Sequence, residues 1–540
     1  MLIECVIIAA IVFGAYAISR PSAVATLGRL YDDVVYLSVG KSIADGHGYR
    51  SAHLVGTPVQ AKFPPLLPAI YAMAWISSGS LDAVARFALW LNIVVVSTSA
   101  GALWWLARKD LRLGVVSTAV FAIVPIVTDR AMFYFSGAAS EPWMLLGWTV
   151  SLMLVSRLMQ PVATGASPAN VAAIALGLTL ALTVLSRSQG IAIAVGVFVG
   201  LVVSRVGWRA ILVAGVVAVV PLLAWSVWHA GMLAKGPVSP LPDQRSYLSW
   251  IPVGGVGELA GFVVRMTRTS APLYWSNVAA VLVGWTSPKT LLLAAALLLS
   301  GLIGVVMLAR TFPAMAATIV AVVGMLVIWP YVQDRFLTPV LPILGIAGAF
   351  AVERTLARVP RAFQRGATVL AAVAGGVLLI ENARLRAESV RGEARSPFVH
   401  AVANIVEWVD RNTMPDDHLM VSWGGAVYLR TGRRTSIPNP EEPTLGASVL
   451  VAPYRFYATR LLADSVDDVI IWDRAPGRAA PWLRQLGTRC RGLLTESVRD
   501  SLAAESRNGV HFYRVQRNLP CLALEARGEA TATTENKNAP

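Results

Sequence analysis

YDDVVYLSVGKSIADGHGYR, residues Tyr31–Arg50, follows the first apolar stretch of the chain and sets two adjacent carboxylates, Asp32 and Asp33, a short loop beyond it. That stretch, Leu2–Ser19, is apolar apart from Glu4 and approaches the hydrocarbon thickness of a bilayer. A paired acid at a membrane surface is costly unless it stays wet or meets a cation. The plain reading is a solvated loop with two acids, and the rest of the chain weighs against it.

Working outward, 56% of the 540 residues are hydrophobic and only 14% are charged, with a mean hydropathy of +0.60. A soluble domain carries about a quarter charged residues, so an ordinary soluble globule is excluded. No basic leader or small-residue cleavage site precedes Tyr31, so Leu2–Ser19 is expected to be a retained span. The net charge of +15 is scattered through loops without interleaved aromatics, which argues against nucleic acid and for membrane orientation.

Apolar runs predict about eleven spans: Leu2–Ser19, Phe87–Leu106, Leu113–Thr128, Pro142–Ser156, Val171–Leu185, Ile191–Val203, Ile211–Trp228, Leu291–Ala309, Ala314–Val332, Leu337–Val352 and Ala367–Ile380. Every second loop is basic: Arg108, Lys109 and Arg112; Arg157; Arg205 and Arg209; Arg310; and Arg354, Arg358, Arg361 and Arg365. The positive-inside rule assigns these loops to the cytoplasm, which places the Asp32 loop and the C-terminal segment outside. The apolar stretch Pro272–Trp285 is read as re-entrant or interfacial, because a further span would flip the basic loop at Arg354–Arg365. No internal repeat is present, so the inverted-repeat signature of many carriers is missing.

The fold class that follows is a polytopic α-helical membrane protein, residues 1–380, with a small external, periplasmic α/β domain over 381–524 and a disordered polar tail over 525–540. In the small domain Phe398–Val409 reads as a helix. His418–Ser422, Val469–Trp472 and Val510–Arg514 read as strands, and Asp416-Asp417 as a turn. Cys490 and Cys521 are either a pair or two buried thiols.

The polar residues expected at the external boundary are Asp32, Asp33, Lys62, Arg130, Glu141, Arg187, Gln189, Asp334 and Arg335. Singly each has an ordinary explanation, such as a snorkelling lysine or an acid at a helix start. Together they have the distribution of a site.

The order Asp32-Asp33-x-x-Tyr36, Lys62-Phe63-Pro64-Pro65, Ser140-Glu141-Pro142 and Asp334-Arg335-Phe336-x-x-Pro339-x-x-Pro342 resembles the GT-C superfamily of polyprenyl-phosphate-sugar-dependent glycosyltransferases. Within it the nearest resemblance is to the protein O-mannosyltransferase, aminoarabinose transferase and rhizobial lipopolysaccharide glycosyltransferase group. The resemblance covers roughly residues 1–380. It departs from the family pattern in carrying Asp-Asp where Asp-Glu is common, and in placing Phe63 between Lys62 and the prolines. It implies a GT-C-like helical domain and a hexosyl- or pentosyltransferase of the inner membrane that moves a sugar from a polyprenyl monophosphate to a hydroxyl of a lipid-linked glycan, cell-wall polymer or protein. It further implies a catalytic set of Asp32, Asp33 and Glu141, with Asp32 favoured as base by its spacing to Tyr36. Lys62, Arg187 and Arg335 would be the phosphate ligands. Some relatives use a divalent metal, to which His47, His53 and Glu141 are the residues able to contribute here, although no spacing demands one.

The chemistry asks for these residue types independently. A lipid phosphate is already a good leaving group, so fixed positive charge on it is what helps. The acceptor hydroxyl needs a carboxylate to take its proton, and one displacement inverts the anomeric centre. The competing reading is a transporter or lipid-linked glycan flippase, which would carry ionisable residues near midspan rather than at one interface. A non-catalytic scaffold is the third.

Overall fold

The computed structural model describes residues 1–160, 167–238, 255–284, 288–329, 332–393, 395–421, 423–436, 465–472, 490, 494–496 and 510–515. The tail and Cys521 lie outside the described residues, whereas Cys490 is disulfide-bonded and Cys5 is free.

Each predicted span falls on helical chain. In order these are α1 (Leu2–Ile18), α4 (Leu81–Trp105), a broken segment over Val115–Ile126, α7 (Glu141–Leu158), α8 (Ser167–Ser186), α9 (Gly190–Val203) and α10 (Trp208–Lys235). After them come α12 (Pro288–Thr311), α13 (Pro313–Ile328), α14 (Val340–Leu356) and α15 (Arg361–Glu393). Among the described residues four helical stretches are long and apolar enough to cross a membrane: Leu81–Asp110, Trp208–Lys235, Thr290–Thr311 and the stretch beginning at Arg361. The 14 residues of α9 rise only about 21 Å, short of a hydrocarbon core of about 30 Å.

Contacts sort the helix ends into two sets. At one end Trp104 Nε1 donates to Glu4 Oε2 at 3.0 Å, and the Gly114 N–H donates to Glu353 Oε1 at 2.7 Å. Gly200 lies against Ala314 there so closely that a Cβ would sit 2.1 Å from the Ala314 Cα. At the other end Arg386 donates to the Ser19 carbonyl, and the Asp129 N–H donates to Asn382 Oδ1. The residues of the candidate site also gather at this second end. Helices consecutive in the list of predicted spans therefore run in opposite directions.

Three short or partial helices escaped the sequence reading. α2 (Asp32–Ala44), α3 (Leu66–Ser78) and α6 (Asp129–Phe135) all lie in segments expected as loops. α11 (Val256–Val283) is twice as long as the apolar stretch Pro272–Trp285 suggested, and Pro272 lies inside it. Its buried residues Phe262, Met266, Ser270, Tyr274, Val278 and Leu282 recur every four positions, so the whole helix lays one stripe on the bundle. The Leu282 carbonyl accepts from Asn382 Nδ2, which fixes its end beside Asp129. The expected domain boundary at 380/381 falls inside α15, which continues to Glu393.

Beyond it, α16 (Pro397–Asn412), β1 (Leu419–Val421), α17 (Gly424–Thr431), β2 (Asp468–Trp472), β3 (Leu494–Glu496) and β4 (Val510–Val515) form the α/β part. The sheet order is β1-β2-β4-β3, with β1–β2 parallel (Met420↔Val469) and the other pairs antiparallel. Ile405, Trp408 and Val409 of α16 pack on Leu419, Val421 and Val427, as the helical spacing predicts. Asp417 accepts from the Met414 N–H, closing the expected turn. This part docks on the site end: the Thr435 N–H donates to the His53 carbonyl and the Val55 N–H to the Thr435 carbonyl.

Candidate active site

Four charged residues from four places in the chain meet at this end. Asp32 opens α2, Glu141 opens α7, Arg187 occupies the turn between α8 and α9, and Arg335 sits in a short 3-10 turn, Asp334–Leu337. Arg335 Nη2 lies 2.9 Å from Asp32 Oδ2 and its Nε 3.8 Å from Glu141 Oε1, while Arg187 Nη1 lies 2.9 Å from the same Oε1. Arg187 is held by Ser140 Oγ and Gln189 Oε1, both at 2.6 Å, and Tyr36 donates to Ser140 Oγ at 3.1 Å. The Phe336 ring lies between the two guanidinium groups, its centroid 5.2 Å from Arg187 and 5.1 Å from Arg335.

Burial works against the charge of Arg335, but Asp32 and Glu141 hold its proton more strongly, and its pKa lies above the ordinary guanidinium value. Glu141 is 1% exposed, whereas the Asp32 side chain keeps 14%, so Asp32 is the carboxylate a substrate can reach. Glu141 Oε1 and Arg335 Nε are buried without an aligned hydrogen-bond partner.

The pair Asp32-Asp33 splits. Asp33 makes no ion pair with Arg335 and instead accepts from the backbone N–H groups of Gly28 and Val34. Lys62 lies on the neighbouring loop, its Nζ 5.8 Å from the Phe63 ring; Phe63 meets Tyr36 edge-on at 5.4 Å and so abuts the cluster. Arg130 and Tyr134 both face Asp334.

His47, His53 and Glu141, the residues named for a divalent metal, do not come together as one cluster. His53 is buried against Ser38 Oγ at 2.9 Å, and burial lowers its pKa to about 4. Glu141 faces two guanidinium groups that would repel a cation. Among the described residues no three His, Cys, Asp or Glu side chains gather to hold a metal ion. Ser140 and Phe336 are the residues of the cluster that sequence reasoning quoted but gave no role; adjacency to Glu141 and Arg335 was the only signal for them.

No protein-family model matches the chain, and no curated protein matches it in sequence. Among solved structures, ArnT from Cupriavidus metallidurans, bound to undecaprenyl phosphate, is similar over 95% of this chain and 97% of its own, with a TM-score of 0.54 and 14% identity. This is a GT-C fold. The oligosaccharyltransferase of Archaeoglobus fulgidus (TM-score 0.46, 13% identity, 82% of this chain and 64% of its own) and the mycobacterial arabinofuranosyltransferase AftD (0.47, 14%, 95% and 40%) are more distant in shape. The GT-C assignment rests on ArnT, and at 14% identity it concerns the fold of a helical membrane protein.

Proposed function

We propose that the chain is a membrane glycosyltransferase that moves a sugar from a polyprenyl monophosphate donor to a hydroxyl acceptor on the external face. The observation that carries this is the meeting of Asp32, Glu141, Arg187 and Arg335 at one end of a GT-C fold. ArnT, the relative in shape, holds undecaprenyl phosphate. The basic loops, from Arg108 to Arg365, belong to the opposite end, and the positive-inside rule then supports a reading in which the site faces outward, with about eleven crossings and α11 as an interfacial helix.

In this reading Arg187, Arg335 and Lys62 bind the donor phosphate, with Glu141 orienting the two arginines. The two acids and two arginines sum to zero charge, so an arriving phosphate must compete for Arg335. Taking Arg335 from Asp32 frees the Asp32 carboxylate where the acceptor hydroxyl needs a base. The acceptor oxygen attacks the anomeric carbon as the carbon–oxygen bond to phosphate breaks. Its proton passes to Asp32 and the electron pair leaves with the lipid phosphate, with inversion. Only when donor is bound is the base fully available.

The test is mass spectrometry of lipid-linked sugars and surface glycans in cells with and without the protein. Accumulation of a polyprenyl monophosphate sugar, with loss of one sugar from an envelope glycan, supports the transferase. Unchanged glycan structure with a lipid-linked glycan held on the inner leaflet would favour a flippase instead.

A further inference from the structure

Asp33 is the buried acid that the reaction above does not use. Its Oδ2 accepts from the Gly28 N–H at 2.9 Å and its Oδ1 from the Val34 N–H at 2.7 Å, so one carboxylate clasps both ends of the turn between them. Within that turn Tyr31 is held at φ 59°, a conformation uncommon for a residue with a side chain. The Leu30 carbonyl accepts from the Asp32 N–H at 2.6 Å and from Arg335 Nη1 at 3.1 Å. The turn thereby sets the backbone of Asp32, while Arg335 is placed chiefly by Asp32 and Glu141. Helix α17 backs it from the C-terminal part, with Gly28 (φ +99°) so close to Ala426 that an added Cβ would lie 2.6 Å away. Arg430 of α17 also donates to the Val24 carbonyl.

We propose that Asp33 is a positioning residue for sugar transfer: its carboxylate locks the Gly28–Val34 turn in the shape that aims Asp32 into the site. The proposal rests on the transferase reading with Asp32 as base. The groups facing Asp33 are Asp32 beside it, Arg335 from the 3-10 turn, Tyr71 from α3 and Arg430 from α17. Burial nevertheless dominates, and against the two backbone N–H donors it pushes the acid up to about 6. Both carboxylate oxygens are used, whereas a neutral amide could accept from only one of the two N–H groups.

The experiment compares wild type, Asp33→Asn and Asp32→Asn in vesicles supplied with a polyprenyl monophosphate sugar and acceptor. Asparagine presents N–H donors to one of the two backbone N–H groups, so it opens the clasp. Asp33→Asn should lower kcat about 10-fold through misplacement of Asp32, with the donor KM within about twofold of wild type. The fall in wild-type kcat as Asp33 protonates near pH 6 should be missing from the variant. Gly28→Ala strikes the other end of the clasp and should give the same split between kcat and KM, which covers the case where Asp33→Asn fails to accumulate. A wild-type kcat and pH profile for Asp33→Asn, or for Gly28→Ala where that stands in, would overturn the proposal. So would an inactive Asp33→Asn beside an active Asp32→Asn, since Asp33 would then be the base. If wild type itself transfers no sugar, the transferase reading falls and takes this inference with it.

Discussion

Two buried arginines, each paired with a half-buried aspartate, sit at the same end of the bundle and are built differently. Arg386 donates through Nε to the Ser19 carbonyl and lies 3.6 Å from Asp129. Beside it Asn382 accepts from the Asp129 N–H and donates to the Leu282 and Leu378 carbonyls. That network is anchored in backbone and fastens α15 to α1, α6 and α11. Arg335 has one backbone partner, Leu30, and otherwise faces Asp32, Glu141 and the Phe336 ring. The Asp129 side of the first pair is bound through Asn382 to three backbone groups, so its partners cannot change without unbuilding a helix end. Arg335 is placed mainly by side chains, which can exchange partners, as the proposed binding of a phosphate requires.

The contrast breaks most readily by removing each arginine in turn. Arg335→Ala removes a charge-assisted contact of about 1.5–3 kcal/mol and should raise the donor KM or Kd by about 10- to 100-fold, with some loss of thermal stability because Asp32 and Glu141 lose a buried cation. Arg386→Ala strips the half-buried Asp129 of its cation and removes the bond to the Ser19 carbonyl, and should show as lost thermal stability and abundance. Donor affinity of the Arg386→Ala protein that survives should be normal. Equal effects of the two substitutions on donor binding would erase the distinction. A smaller effect is expected at the shared ring: Phe336→Leu removes two cation–π contacts of about 0.5–1 kcal/mol each and part of a buried core side chain, so donor affinity should weaken by several-fold with a modest fall in melting temperature.

The smallest effect is the pH dependence contributed by Asp33. Its pKa of about 6 in the fold exceeds the ordinary carboxyl value of 3.8, so the fold binds its proton more tightly than the unfolded chain does. The resulting stability is fully present below about pH 4 and is lost as pH rises through about 6. Other carboxylates shift melting too, so the quantity to read is the difference between wild type and Asp33→Asn. That difference should favour wild type more at pH 5 than at pH 7.5, and a difference independent of pH would place the Asp33 pKa at an ordinary value.

Much of this was legible in the chain because apolar runs and scattered charges are one-dimensional signals. Asp32, Glu141, Arg187 and Arg335 stood out as charges at the edges of apolar sequence, and the structure brings all four together. What separates Asp32 from Asp33 was not legible, because adjacency in sequence is silent about which carboxylate a turn folds inward; the Gly28 N–H that captures Asp33 is set by a left-handed glycine. The run Leu113–Thr128 read as one span, yet the chain tightens near Pro125 and bends by 57° between Val115–Ile126 and Asp129–Phe135. Proline removes a helix hydrogen bond there, a signal present in the sequence but outweighed by hydropathy. α11 was half-seen because its first half carries Glu258, Arg265 and Arg268, which lower hydropathy without disturbing the four-residue spacing of its buried stripe.

The central claim is that Asp32 is the base of a site whose arginines hold a lipid phosphate. Its most direct test is single-turnover transfer by Asp32→Asn protein preloaded with a polyprenyl monophosphate sugar. The account predicts donor bound about as tightly as by wild type and transfer slowed by about 100-fold or more, the scale of a lost general base. Transfer at the wild-type rate from the bound donor would contradict it.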